Sequence, residues 1–205
     1  MFRFCRHAIG ALFLAQAAAQ ELPRLQHGPP TAAPIGWTFF CQQPDNKETC
    51  YPPWSEPRDI ELTVDIRAVI ESVNDFVNST IAPVSDLDHW GVLERWSFPT
   101  DGRGDCEDFA LEKQRLLISA GLPRSALLIT VVRRKEPAEP TEAASDLVHA
   151  VLTVRTHVGD FILDMDSPRL LPWRERDYQF IKSQSQSNPS AWVALGEVAV
   201  RDGEP

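Results

Sequence analysis

The chain is 205 residues long, 43% apolar and 24% charged, the length and composition of one globular domain rather than of a coiled coil or a disordered tail. Its 20 basic and 29 acidic residues give a formal charge of −9, which excludes a general affinity for nucleic-acid backbone, since that requires concentrated positive charge. The 17 prolines and 10 glycines crowd the first quarter and the connections, so an irregular lead-in is expected ahead of a compact body.

The first residues combine a basic start (Arg3 and Arg6), an apolar run from Ala8 to Ala15 and small residues from Ala17 to Ala19, the pattern of a secretion signal over residues 1–20. The run is short for a membrane span and no later segment is suited to one, so no stable membrane insertion is expected. Cleavage near Ala19 or Gln20 removes two arginines and no acid, moving the formal charge from −9 to −11, and delivers a periplasmic or secreted chain. The alternative is an N-terminal helix retained by a cytoplasmic protein.

Residues 21–64 form a proline-rich lead-in, and export permits disulfides there. Cys5 leaves with the signal, while Cys41 and Cys50 frame a polar segment that a bridge would close, leaving Cys106 as a free thiol. Pairing of Cys106 with Cys41 or Cys50 is the rival arrangement.

The body, residues 65–205, opens on a helical stripe: Ile66, Val69, Ile70, Val73, Phe76 and Val77 recur at steps of three and four, with Arg67, Glu71, Ser72 and Asn74 toward water. An ordered loop with Trp90 and Trp96 follows; these line a cleft or pack in the core. GRGDCEDFALEKQRLLISAGLP then reads as a glycine turn entering a helix that Gly121 and Pro123 stop. Asp105 is its expected N-cap. Cys106 sits at the helix start, where free amide hydrogens and the positive helix end favour a thiolate, while Asp105, Glu107 and Asp108 oppose it. Strands are expected at Leu127–Arg133 and, after a solvated excursion, in LVHAVLTVRT and DFILDM, making a small antiparallel sheet. The polar tail after Phe180 ends in an apolar stretch that could close the sheet edge.

His149 and Asp164 fall on consecutive strands, and registers setting Asp164 opposite either His149 or Thr153 put both side chains on one face; distance favours the first, or a bulge. Cys106 as nucleophile, His149 as proton acceptor and donor, and Asp164 as its orienter would make an acyl-transfer triad. The bland alternative places Cys106 in the core, His149 at a hydrogen-bonded strand position and Asp164 in a turn.

From Val64 to Trp192 the sequence resembles the bacterial transglutaminase-like cysteine peptidases, whose exported members include proteases of large surface adhesins. GDCEDFALEK, the turn after LLISAGLP, HAVLTV, GDFILD and W-x-x-x-x-Y-x-F from Trp173 to Phe180 carry the resemblance. It implies a papain-like α+β domain, helices packed on a small antiparallel sheet, over residues 65–205. It also implies the triad Cys106, His149 and Asp164, with Trp96 near the oxyanion region or cleft. The activity implied is peptide hydrolysis through an acyl-enzyme by a monomer acting on a protein or peptide, with a cell-envelope protein or surface adhesin as substrate. An inactive peptide-binding protein, or an amidase or acyltransferase using the same triad, is the alternative.

The triad itself requires no cofactor. By the same resemblance Asp105 and Glu107 are calcium ligands, with Asp101 and Asp108 as further oxygens; otherwise these acids cap and solvate the helix start. No zinc spacing relates His89, His149 and His157 to the cysteines.

Overall fold

The computed structural model describes residues 22–53, 55–135, 147–188 and 190–196. The expected signal segment and most of the excursion after Arg134 lie outside them. In chain order the elements are β1 (Gln26–Thr31), α1 (Ile35–Gln42), α2 (Lys47–Cys50), α3 (Val64–Thr80), β2 (Ala82–Pro83), α4 (Asp86–Trp90), β3 (Arg103–Gly104), α5 (Cys106–Ser119), β4 (Leu127–Arg134), β5 (Val148–Thr156), β6 (Gly159–Asp164), β7 (Ser167–Pro172), β8 (Tyr178–Gln184) and β9 (Trp192–Gly196). Seven strands form one sheet in the order β1-β9-β8-β4-β5-β6-β7, every pair antiparallel. Helices α5 and α3 pack against it, so the fold is α+β as expected for a papain-like or transglutaminase-like core. Among the described residues no helix is long and apolar enough to cross a membrane.

Local chemistry explains the helix starts. Thr63 caps α3 by accepting the Ile66 amide at 3.2 Å, and Ser85 caps α4 by accepting the Asp88 amide at 3.2 Å while its hydroxyl meets the Asp88 carboxylate at 2.9 Å. The β-branched and leucine-rich run of β4 is buried on both faces, with Leu127, Leu128, Ile129 and Val132 wholly covered. A large cluster including Leu117, Leu127, Ile129, Leu152, Val154 and Leu163 fills one side, and a smaller one with Leu25, Val132, Val151, Ile162 and Phe180 fills another.

Buried polar groups fix the placement of the helices that serve the site. Gln114 of α5 donates to the Leu127 carbonyl at 2.7 Å and to Gln184 Oε1 at 2.8 Å, and Gln184 Oε1 also accepts the Ile129 amide at 3.0 Å. This ties α5 to β4 and β8 through Gln184 Oε1, while Gln184 Nε2 stays buried without a partner among the described residues. Asn74, expected toward water, is fully buried instead and donates to the Ser167 carbonyl at 2.7 Å; Asn78 donates to the Asp164 carbonyl at 2.9 Å. Phe76, counted in the apolar stripe, is exposed. Helix α3 therefore faces the sheet through a mixed stripe, because the turn joining β6 to β7 presents carbonyls that apolar side chains would leave unpaired.

The lead-in contributes directly to this core. Strand β1 pairs with β9, so β9 is an interior strand and the sheet edges are β1 and β7 rather than the C-terminal stretch. Trp37, Phe40, Cys41 and Cys50 join the large cluster, and Cys41 and Cys50 form a disulfide as expected. Leu22 packs where a Cβ on Gly159 (φ +136°) would stand, at 2.7 Å, so the tight β5–β6 turn needs glycine both for its backbone and for this close approach. The Leu25 amide donates to the wholly buried Asp160 at 2.8 Å. Replacing Cys41 and Cys50 together by serine should lower the unfolding free energy by about 2–3 kcal/mol, the loop-closure value for so short a ring, read as a lower urea midpoint with an unchanged far-UV spectrum.

Candidate active site

Cys106 opens α5 as a partly buried free thiol. The Ala150 amide, one residue beyond His149 on β5, donates to its Sγ at 3.3 Å, while the thiol donates to Glu107 Oε2 at 3.3 Å. Among the described residues no hydrogen bond joins Cys106 to His149. Burial, followed by the charges of Glu107 and Asp105, pushes the thiol well above its ordinary range, partly offset by the Ala150 amide. Asp105 holds the cap position without a side-chain cap; its Oδ2 accepts the Asp86 amide at 3.2 Å.

His149 and Asp164 are brought together. His149 Nε2 lies 2.8 Å from Asp164 Oδ1, with the residues 2% and 1% exposed. The register differs from both expected ones: Leu152 pairs with Leu163, so the ladder, continued one step, sets Asp164 beside Val151. Val151 shares its face with His149, and the contact is diagonal, across two residues, a reach open to an imidazole and a carboxylate. Because a carboxylate only accepts, the proton must sit on Nε2. The 3.3 Å approach of Arg134 Nη2 to that nitrogen is therefore a contact rather than a hydrogen bond, and Arg134 donates to Asp166 at 3.1 Å.

Trp96 is a core residue, 5% exposed, edge-on to Trp37 and Trp192 and donating its indole N–H to Glu94 at 2.6 Å. That donor is committed within the fold. Trp90 is 39% exposed and lies under the Arg95 guanidinium.

A second cluster adjoins the thiol. Asp86, Asp105 and Glu107 each offer a carboxylate oxygen within 4.8 Å of the others. Asp105 Oδ1 and Glu107 Oε1 are buried without a hydrogen-bond partner. Burial raises the Asp105 carboxyl, burial and the Asp105 charge raise Glu107 well above the usual carboxylate range, and burial and Asp105 push Asp86 up to about 6. Crowded, unpartnered carboxylate oxygens suit a hard cation with oxygen ligands, so the residues fit calcium. The other expected oxygens point elsewhere: Asp108 accepts the Ser97 amide at 2.7 Å, and Asp101 meets His89 at 2.8 Å. Sequence reading missed Asp86, which lies 19 residues before Asp105 and converges only through the loop between α4 and α5. It also assigned no role to Tyr178, although that residue is the tyrosine of the W-x-x-x-x-Y-x-F pattern.

Comparison with known proteins places this geometry in context. The calcium-bound form of LapG from Legionella pneumophila is 26% identical, with 66% of this chain and 74% of that one covered, at a TM-score of 0.50. Two further LapG structures from the same organism, one of them EGTA-treated, are 26% and 27% identical and cover 58% of this chain at a TM-score of 0.46. The chain spans 64% and 62% of the length of those two. No curated protein matches significantly. The family described as bacterial transglutaminase-like cysteine proteinase BTLCP matches residues 27–200, most of the sequence, and the chain belongs to that family.

Proposed function

We propose that this protein is an exported cysteine peptidase in which Cys106 attacks a peptide carbonyl, His149 carries the proton and Asp164 holds the imidazole. The observation that supports it most is the buried pairing of His149 on β5 with Asp164 on β6, next to the Ala150 amide of β5 that contacts the helix-start thiol. With Nε2 engaged by Asp164, Nδ1 is the nitrogen left to exchange a proton with Cys106, after the thiol turns from Glu107. Apo sites often hold such contacts loosely until substrate binds. Attack forms the Sγ–carbon bond. The proton passes through His149 to the leaving amine, and water then releases the acyl group by the same route in reverse. Unpaired amides in the first turn of α5 would receive the developing oxyanion.

Asp86, Asp105 and Glu107 would hold calcium, which when bound supplies positive charge beside the thiol. The calcium-bound form of the similar LapG and the partnerless oxygens at the cluster support this reading. Export is supported by the signal-like start and by the Cys41–Cys50 disulfide, which suits an oxidising compartment such as the periplasm. A protein of the cell envelope, including a surface adhesin, is then the substrate class, taken by one chain acting alone.

Mapping of an iodoacetamide-type probe with calcium present, where the cation's charge offsets the acids that raise the thiol, tests the nucleophile: labelling should fall on Cys106 faster than on a free thiol, and labelling no faster than that of the unfolded chain would contradict the proposal. Calorimetric titration with calcium tests the cation. Wild type should release or absorb heat and gain about 2.7 kcal/mol of stability at a hundredfold excess over the dissociation constant, whereas the Asp105→Ala, Glu107→Ala double variant should do neither. Equal responses would remove calcium from this cluster.

A further inference from the structure

We infer that Arg176 and Tyr178 are positioning residues that dictate which oxygen of Asp164 serves His149; the inference builds on the triad proposed above. Arg176 follows the helical turn between β7 and β8, and Tyr178 opens β8. Both donate to Asp164 Oδ2, Tyr178 from its hydroxyl at 2.6 Å and Arg176 from Nη2. Oδ2 is thereby occupied by an O–H and a charged N–H, and Oδ1 alone remains for the imidazole at 2.8 Å. A carboxylate with one oxygen fixed by two donors cannot rotate about its last torsion without breaking both, so the imidazole is held in one orientation and one tautomer.

The surroundings reinforce the arrangement. Asp164 is 1% exposed, where an ionised carboxyl needs strong donors to persist. The Tyr178 ring meets His149 edge-on at 6.0 Å, and the Arg176 guanidinium lies 4.9 Å from the Tyr178 ring centre, so the two donors brace each other and the imidazole. The groups facing the pair are Asp166 from the β6–β7 turn, Arg134 from β4, buried Lys113 from α5, and Arg176 and Tyr178. Asp166 is itself held by Arg134 at 3.1 Å and Arg176 at 3.6 Å, so Arg176 is a cation that bridges both carboxylates.

The test uses proton NMR of the far-downfield imidazole N–H of His149, assigned by its loss in His149→Ala, together with the rate of Cys106 alkylation by iodoacetamide at pH 7. The variants are Arg176→Gln, Arg176→Lys and Tyr178→Phe. In Arg176→Gln the resonance should shift or broaden and should be lost at a higher pH than in wild type, because Asp164 without its charged donor protonates sooner as pH falls. Alkylation should slow about 10- to 100-fold, the range for loss of an outer-shell partner. Arg176→Lys should retain most of both signals, and Tyr178→Phe should shift the resonance even if Arg176→Gln does not fold. If the resonance moves as stated but wild-type Cys106 shows no enhanced reactivity, the positioning role stands and the peptidase reading falls. A resonance absent from wild type, or unchanged across the variants, overturns the inference whatever the activity.

Discussion

Replacing Cys106 by alanine should reduce peptide hydrolysis by about 10,000-fold or more, the loss seen when a triad nucleophile is removed, with no loss of fold. Among the described residues the thiol makes two long hydrogen bonds, one from the Ala150 amide and one to Glu107, each at 3.3 Å, and alanine fills most of the thiol's place beside them. Alanine also removes a group that burial and two neighbouring acids hold in an unfavourable setting. Thermal unfolding of Cys106→Ala should therefore match or exceed that of wild type while turnover disappears. Residual turnover within tenfold of wild type would remove Cys106 from the chemistry.

Asp164→Asn is the second large change and acts on both activity and stability. Asparagine can present its amide to Nε2 and favour the other tautomer, for which the expected loss is about 10,000-fold in kcat. It also weakens the hold on the partly buried Arg176, which among the described residues keeps only the Asp166 carboxylate, at 3.6 Å, a loss of about 1.5–3 kcal/mol for a hydrogen bond to a charged group. The stability cost should depend on pH. Burial pushes the Asp164 carboxyl up, but the hydrogen bond and charge of His149, then Asp166 and Arg176, bring it well below the usual carboxylate range. A depressed carboxyl stabilises the fold fully above its unfolded value of about 4 and loses that contribution as pH falls through the folded value. Urea unfolding of wild type and Asp164→Asn should thus differ at pH 7 and converge progressively below about pH 4. A gap that stays constant into acid would show that the ionised carboxylate is not what stabilises the site.

Much of this site was legible in the chain because its residues sit on strongly patterned elements. The glycine turn before Cys106 and the stop at Gly121 and Pro123 mark α5 from both ends. Strands β4, β5 and β6 are continuous apolar runs, and strand parity permits His149 and Asp164 to share one face. Register was not legible. A two-residue turn at His157 and Val158, with Gly159 at positive φ, sets the ladder between the two alternatives considered, and turn geometry decides what alternation leaves open.

The polar partners were legible least. Asn74 and Asn78 look like solvent-facing helix positions until the β6–β7 carbonyls they serve are in place. Arg176 sits in a run of exposed-looking charges, RERD, and nothing local distinguishes it from Arg174. Its role arises only when β8 returns beside β4 and brings Tyr178 with it. The sequence leaves Trp96 between a cleft and a core position, and α1 from the lead-in covers it. A Cβ on Gly36 would stand 2.2 Å from the Trp96 ring, so the first helix is seated directly on that side chain.

Whether Cys106 cleaves peptide bonds in an envelope protein is read most directly by a comparison of protein termini, by terminal-peptide mass spectrometry, in cells carrying wild type and Cys106→Ala. It presupposes no particular substrate. At least one internal terminus in an exported protein should be present with wild type, absent with Cys106→Ala and restored by re-expression of wild type. Identical terminal maps, with both proteins expressed at equal levels and the disulfide formed, would contradict such cleavage.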